Sequence, residues 1–225
     1  MKSIAEICTM RILLTAATKQ EVEPHIITNK TIDVLITGVG IPSTLFQLQK
    51  AILSLQPDIV IQAGIAGSFS NNLSLGQVVL VKQDAFGDIG MEENKEFTPI
   101  FKSNFADANE FPFSDGWLIN PSKLFSVSKL NNVKSITVNK VSDSEIQKNQ
   151  SVIHFSPEIE TMEGAALHFL GLHQKISFIQ LRSISNTVGE RDKSKWKIKE
   201  AISNLNKELK ILVDLIKNEN SSISN

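Results

Sequence analysis

The run Asp58-Ile59-Val60-Ile61-Gln62-Ala63-Gly64-Ile65-Ala66-Gly67 decides the fold. Its first half is an apolar stretch of strand length, and its second half reads as a Gly-rich turn. Just upstream, residues 43–55 set Leu45, Leu48, Ile52 and Leu55 on one helical face, and Pro57 stops the pattern. The same alternation extends both ways. Residues 11–16 read as a buried strand around Ile12, Leu13 and Leu14, and residues 32–37 as a second that ends at Gly38-Val39-Gly40. Residues 78–81, 135–138 and 152–155 read as further strands, and 176–184 as a central one. Residues 162–172 read as a short helix. Residues 196–217 read as an amphipathic helix with Ile198, Ala201, Ile202, Leu205, Leu209, Leu212, Val213 and Ile216 toward the core. Interleaved helices and wholly apolar strands predict a single-domain α/β fold, a mixed, mostly parallel β-sheet flanked by helices.

That domain spans residues 10–217, between a flexible extension at 1–9 and a polar, disordered tail at 218–225. A chain of 225 residues suffices for one large core. A formal net charge of −1 and the lack of a basic stripe argue against nucleic acid as a partner. No apolar run reaches bilayer length, and residues 1–9 are too short for a signal-peptide core, so the expectation is a cytoplasmic protein without membrane contact. The single cysteine, Cys8, excludes an intramolecular disulfide and fits a reducing compartment. His25, His154, His168 and His173 show no metal-ligand spacing and read as surface or satisfied histidines.

Residues 84–122, rich in Gly, Pro, Asn, Asp and Phe, read as a long irregular excursion, a feature uncommon in compact domains unless functional. Its phenylalanines (Phe86, Phe97, Phe101, Phe105, Phe111 and Phe113) have no period and fit either core packing or an oligomer surface.

Ligand sites in such folds lie beyond the carboxyl ends of strands. Glu21, Gly64 to Gly67, Met162-Glu163 and Ser185-Asn186 all fall there. Taken alone, each has a plain reading. Met162-Glu163 suits a helix start with an acid on the macrodipole. Glu21 suits the surface of a first helical turn. Residues 187–196 suit a helix-capping loop, with Asp192 or Ser194 as the cap. Gly38-Val39-Gly40 can meet a phosphate but lacks the spacing of a dinucleotide fingerprint.

In order, Glu160-Thr161-Met162-Glu163-Gly164-Ala165-Ala166 and Arg182-Ser183-Ile184-Ser185-Asn186 resemble the nucleoside phosphorylase and methylthioadenosine nucleosidase superfamily, over about residues 11–217. The run Ser185-Asn186-Thr187-Val188-Gly189-Glu190-Arg191-Asp192, with Trp196 following, is similar to its futalosine hydrolase branch. The resemblance implies a small-molecule nucleoside substrate, no cofactor, no metal, and a homo-oligomer, dimer or higher. It implies that Glu163 holds the ribose hydroxyls, that Met162 packs on the sugar, and that Ile65, Ala66 and Gly67 bring backbone against the substrate. Glu21 would be the general base for water and Asn186 would hold the leaving base with support from Ser185. Arg191 would bind a carboxylate on the sugar side, and Arg182 would be a structural tether paired with Glu163 or another buried carboxylate.

Two departures sharpen the expectation. The stretch after the first strand offers only Lys19 where related phosphorylases present a cationic phosphate site, so water is the expected nucleophile. Asn186 stands where adenine-specific nucleosidases carry an Asp. An amide donates and accepts together, which suits the O6 and protonated N7 of hypoxanthine. The implied reaction is hydrolysis of futalosine to hypoxanthine. The rivals are a methylthioadenosine or adenosylhomocysteine nucleosidase, a purine phosphorylase, and a nucleoside-binding module without catalysis.

Overall fold

The wholly apolar strands lie side by side at the centre of a mixed sheet. The computed structural model describes residues 10–27, 32–94, 96–103, 105–141 and 144–223. The extension expected at residues 1–9, with Cys8, lies outside the described residues, as do the side chain of His25 and residues 224–225.

In chain order the elements are β1 (Ile12–Ala16), a 3₁₀ turn (Lys19–Glu21), α1 (Pro24–Ile27), β2 (Ile32–Ile36), α2 (Ile41–Leu55), β3 (Ile59–Ser68) and β4 (Val78–Phe86). There follow β5 (Gly90–Glu93), β6 (Glu96–Pro99), β7 (Leu118–Ile119), α3 (Leu124–Val127), β8 (Asn131–Thr137), α4 (Glu145–Phe155) and β9 (Ile159–Thr161). The chain continues through α5 (Gly164–Gln174), β10 (Ser177–Thr187), a 3₁₀ turn (Lys193–Lys195) and α6 (Ile198–Ile223).

The main sheet runs β10-β4-β8-β9-β3-β1-β2, and β10 also pairs with β3. Five strands (β3, β10, β4, β8 and β9) therefore close on themselves, while β1 and β2 extend from β3. The pairings β1–β2, β1–β3, β3–β10, β4–β8 and β8–β9 are parallel; β10–β4, β3–β9 and β4–β7 are antiparallel. The sheet is mixed and mostly parallel, as the interleaving predicts.

Period-two alternation sends β1 residues Ile12, Leu14 and Ala16 to one face and Leu13 to the other. The first face packs with Ile59, Ile61 and Ala63 of β3, Ile179 and Leu181 of β10, and Leu205, Leu209, Leu212, Val213 and Ile216 of α6. The second packs Leu13, Val60 and Phe178 against Leu48 and Ile52 of α2 and Leu167 and Leu170 of α5. Each buried Leu or Ile contributes about 1.5–3 kcal/mol.

Three expectations are corrected. Residues 152–155 are not a strand but the last turn of α4, whose N-cap Ser144 accepts a hydrogen bond from Gln147 N. A short apolar run does not by itself separate strand from helix. The terminal helix does not end at Lys217 but continues to Ile223, through most of the stretch expected to be disordered. No Gly or Pro interrupts it there. The 84–122 excursion is partly regular: β4 reaches Phe86, and β5 and β6 form a hairpin. Phe86, Phe101 and Phe113 form an edge-packed cluster with Phe169 of α5, whereas Phe105 and Phe111 are exposed.

Candidate functional site

Glu21 is buried rather than on the surface. The 3₁₀ turn that follows β1 swings its side chain back, so that Oε2 accepts from Thr18 N at 2.8 Å and Thr18 Oγ1 at 3.1 Å. Its Oε1 accepts from Ile65 N of β3 at 3.3 Å. The Thr18-x-x-Glu21 spacing is a capping-box signature, a signal available in the sequence. Asn206 of α6, buried and absent from the sequence reading, clamps the backbone: its Nδ2 donates to Glu21 O and its Oδ1 accepts from Glu23 N.

Glu163 sits in the bend between β9 and α5. Gly40, at the N-terminus of α2, donates its N–H to Glu163 Oε1 at 3.1 Å. The glycine pair at the end of β2 thus serves a carboxylate of the protein itself: Gly38 and Gly40 take φ of +81° and +93°, which aims the amide inward. On the other oxygen, Arg182 Nη1 lies 3.6 Å from Glu163 Oε2, the tether expected of Arg182. Arg182 Nη2 also donates to Gln62 Oε1 at 2.7 Å. Burial pushes the Glu163 carboxyl above its usual range. Arg182 and the Gly40 N–H pull against that rise, and the charge of Glu21 adds to it.

The stretch Gly64–Gly67 is not a turn. β3 runs through it to Ser68, paired with β10 as far as Thr187. Gly is needed here for close approach. A Cβ on Gly64 would collide with Arg182 Nη1 and meet Glu21 Oε1 at 3.0 Å, so the guanidinium and that carboxylate flank one bare stretch of backbone. A Cβ on Gly67 would meet Asn186 Nδ2 at 3.3 Å.

β10 carries a bulge at the point that matters. Ile184 pairs with Ala66 and Asn186 with Gly67, which leaves Ser185 as the extra residue. In a regular strand, consecutive side chains point to opposite faces; the bulge lets Ser185 and Asn186 both reach the same cavity. Ser185 Oγ donates to Asn186 Oδ1 at 2.8 Å, and Asn186 Nδ2 donates to Thr187 O at 3.0 Å. A carbonyl can only accept, so Thr187 O fixes the amide nitrogen on its side. One N–H and one lone pair of the Asn186 amide are left for a ligand.

A cavity of about 310 Å³ is lined by Glu21, Ile65, Ala66, Gly67, Met162, Glu163, Ser185 and Asn186, which brings together all but one of the candidate residues. The exception is Arg191, which is exposed and outside the lining. Past β10, Glu190 gathers its own loop, accepting from Asp192 N and from Lys195 Nζ, and Trp196 is the residue of that loop that returns to the cavity. Ile198 and Ile202, expected in the core, line the cavity instead. Val39, Glu160 and Thr161, to which the sequence assigned no role, also line it, as do Ala17, Thr18, Gln20 and Val141. A larger cavity of about 640 Å³ opens at the other end of the sheet, lined by both apolar and polar residues and by none of the candidates. Among the described residues, no group of three or more His, Cys, Asp or Glu is arranged to hold a metal ion, and no helix is long and apolar enough to cross a membrane.

A closed mixed sheet with two carboxylates and an amide at its strand ends defines a class, and a sequence profile of that class, the phosphorylase superfamily, matches residues 17–217. The chain belongs to this superfamily. It is 28% identical to the futalosine hydrolase of Thermus thermophilus over 174 residues, 76% of each chain. It is 26% identical to the 5'-methylthioadenosine/S-adenosylhomocysteine nucleosidase of Buchnera aphidicola over 206 residues, 83% of this chain and 80% of that one. Its fold superposes on futalosine hydrolase of Helicobacter pylori with a TM-score of 0.78 at 19% identity, covering 92% of this chain and 98% of the other.

Proposed function

We propose that this chain is a nucleosidase that hydrolyses the N-glycosidic bond of futalosine and releases hypoxanthine, a step of menaquinone biosynthesis. The observation that carries the reading is the Asn186 amide, held by Ser185 and Thr187 so that one donor and one acceptor remain beside Glu163 and Glu21. The donor suits a purine O6 and the acceptor suits N7 once it is protonated. Glu163 keeps lone pairs for two ribose hydroxyls beyond those engaged by Gly40 and Arg182, and Met162 packs on the sugar. As the bond to the base lengthens, the sugar gains oxocarbenium character and the Glu163 charge stabilises it. Glu21 takes a proton from the attacking water. The proton on N7 comes from solvent, because an amide is no acid. Kinship with the Thermus thermophilus futalosine hydrolase supports the substrate.

The reading includes a homo-oligomer. Phe46 and Leu53, seven residues apart on α2, and Val39, just before its start, are 68%, 64% and 54% exposed. Val39 also lines the cavity, so a second copy seated on this stripe would close its rim.

The test is base release without phosphate from futalosine, inosine, methylthioadenosine and adenosylhomocysteine. Hypoxanthine from futalosine is expected as the main product. Preferential release of adenine, or turnover only with added phosphate, overturns the substrate or the nucleophile respectively.

A further inference from the structure

Helix α5 begins at Gly164, directly after Glu163, yet Glu163 makes no side-chain cap to it. Its first amides are satisfied from elsewhere. Gly164 N lies 3.4 Å from Thr161 Oγ1, and Ala165 N donates to Thr137 Oγ1 at 2.8 Å. The two hydroxyls are 3.0 Å apart, and Thr137 Oγ1 is 2.9 Å from Asp84 Oδ1, which also accepts from Ala85 N at 2.9 Å. Each hydroxyl has one proton. The Ala85 N–H marks Asp84 Oδ1 as an acceptor in either protonation state, so Thr137 gives its proton to that oxygen, Thr161 must donate to Thr137, and the Thr161 lone pair is then turned to Gly164 N–H. The chain of donors has one direction and ends on Asp84.

We propose that Asp84 is a positioning residue of the site. Through Thr137 and Thr161 it supplies the missing cap of α5 and fixes the turn that carries Met162 and Glu163. Asp84 and Thr137 are fully buried and Thr161 is 3% exposed, so no solvent competes for these bonds. The other oxygen, Asp84 Oδ2, shares the space beside Gly164 with the Gln180 amide, and a Cβ on Gly164 would collide with both. The carboxyl therefore lies directly against the first residue of α5. The role of this turn in holding ribose rests on the proposed function; the capping relay does not.

The experiment compares Asp84→Ala, Asp84→Asn and Thr137→Val with the wild type by two readouts. The first is amide hydrogen exchange at Gly164 and Ala165, with Leu170 further along α5 as the internal control. The second is binding of futalosine against free hypoxanthine in a Glu21→Gln background. Asp84→Ala and Thr137→Val should speed exchange at Gly164 and Ala165 but not at Leu170. They should weaken futalosine about tenfold or more, since a displaced Glu163 loses charge-assisted hydrogen bonds to the ribose hydroxyls, and leave hypoxanthine unchanged. Asp84→Asn keeps an acceptor oxygen for Thr137 and should restore both. Unchanged exchange in Asp84→Ala and Thr137→Val overturns the relay. Faster exchange with unchanged futalosine affinity overturns the positioning role. A wild type that binds no nucleoside refutes the proposed function, and exchange still decides the relay.

Discussion

Arg182 Nη1 stands 3.6 Å from Glu163 Oε2 with both side chains nearly out of solvent, and among the described residues Arg182 is the one buried cation. Glu21 lies across the bare Gly64 backbone from the same guanidinium, and Asp84 feels its charge. A single positive group thus serves three buried carboxyls. Removing one partner of a buried pair strands the other, at a cost of about 3–5 kcal/mol. Arg182→Met should lose stability on that scale in a urea titration. Its acidic limb of activity should also move to higher pH, because Glu163 loses the main group that opposes its desolvation. A variant as stable as the wild type would show that the pair contributes nothing.

Glu21 accepts three hydrogen bonds, from Thr18 N, Thr18 Oγ1 and Ile65 N, and its backbone is clamped by Asn206. Glu21→Gln is isosteric and keeps one acceptor oxygen, so the turn should survive while the base is lost. Hydrolysis should fall by about 10²–10⁴-fold, with futalosine binding retained. Single-turnover base release measures the first and calorimetry the second. Full hydrolysis by this variant would remove Glu21 from the chemistry.

The sheet was legible because strands buried on both faces must be apolar throughout, as Ile12 to Leu14 and Ile59 to Ile61 are. The candidate residues were legible at strand ends: Glu21 and Glu163 follow β1 and β9, and Asn186 lies one residue before the end of β10. Other features are invisible along the chain because they depend on neighbours far away in sequence. Gly64 to Gly67 has turn composition, but its glycines answer to Arg182 and Asn186 across the sheet. The bulge that turns both Ser185 and Asn186 into the cavity arises from register against Ala66 and Gly67. Asp84 lies in the polar run Lys82-Gln83-Asp84, which gives no sign that its last member is fully buried. Arg191 lies outside the cavity lining for a local reason. Glu190 and Asp192 fold the loop on themselves and leave the guanidinium outside.

Ser185 donates to Asn186 Oδ1, and an Asp at this position would accept the same bond. Asn186→Asp should therefore keep the bond from Ser185, lose the one to Thr187 O, and replace the free N–H by a lone pair. That lone pair faces a purine O6 unfavourably and a 6-amino group favourably. Mismatches of this kind discriminate by roughly 10⁴-fold where a site is built around one hydrogen bond. Asn186→Asp should lose most hypoxanthine release from futalosine and gain adenine release from methylthioadenosine, as read by chromatography of the free bases. Unaltered base preference would mean that the amide does not read position six.

Asp84 and His168 are both fully buried and titrate in opposite senses. Burial pushes Asp84 up from 3.8 to about 7 and His168 down from 6.5 to about 4. The folded chain keeps the Asp84 proton where the unfolded chain has lost it. That stabilising contribution is complete below pH 3.8 and is gone once pH passes about 7. The His168 imidazole, fully buried with Nδ1 on Leu118 O, resists protonation in the folded state. Its contribution is complete above pH 6.5 and is lost as pH falls to about 4. Between these limits the two slopes, each about 1.4 kcal/mol per pH unit, cancel in the wild type. Asp84→Asn removes the falling one. Relative to wild type, its stability should climb by about 3 kcal/mol from pH 4 to pH 6.5 in urea denaturation. Parallel curves for the two proteins would show that Asp84 is ionised throughout that range in the folded chain.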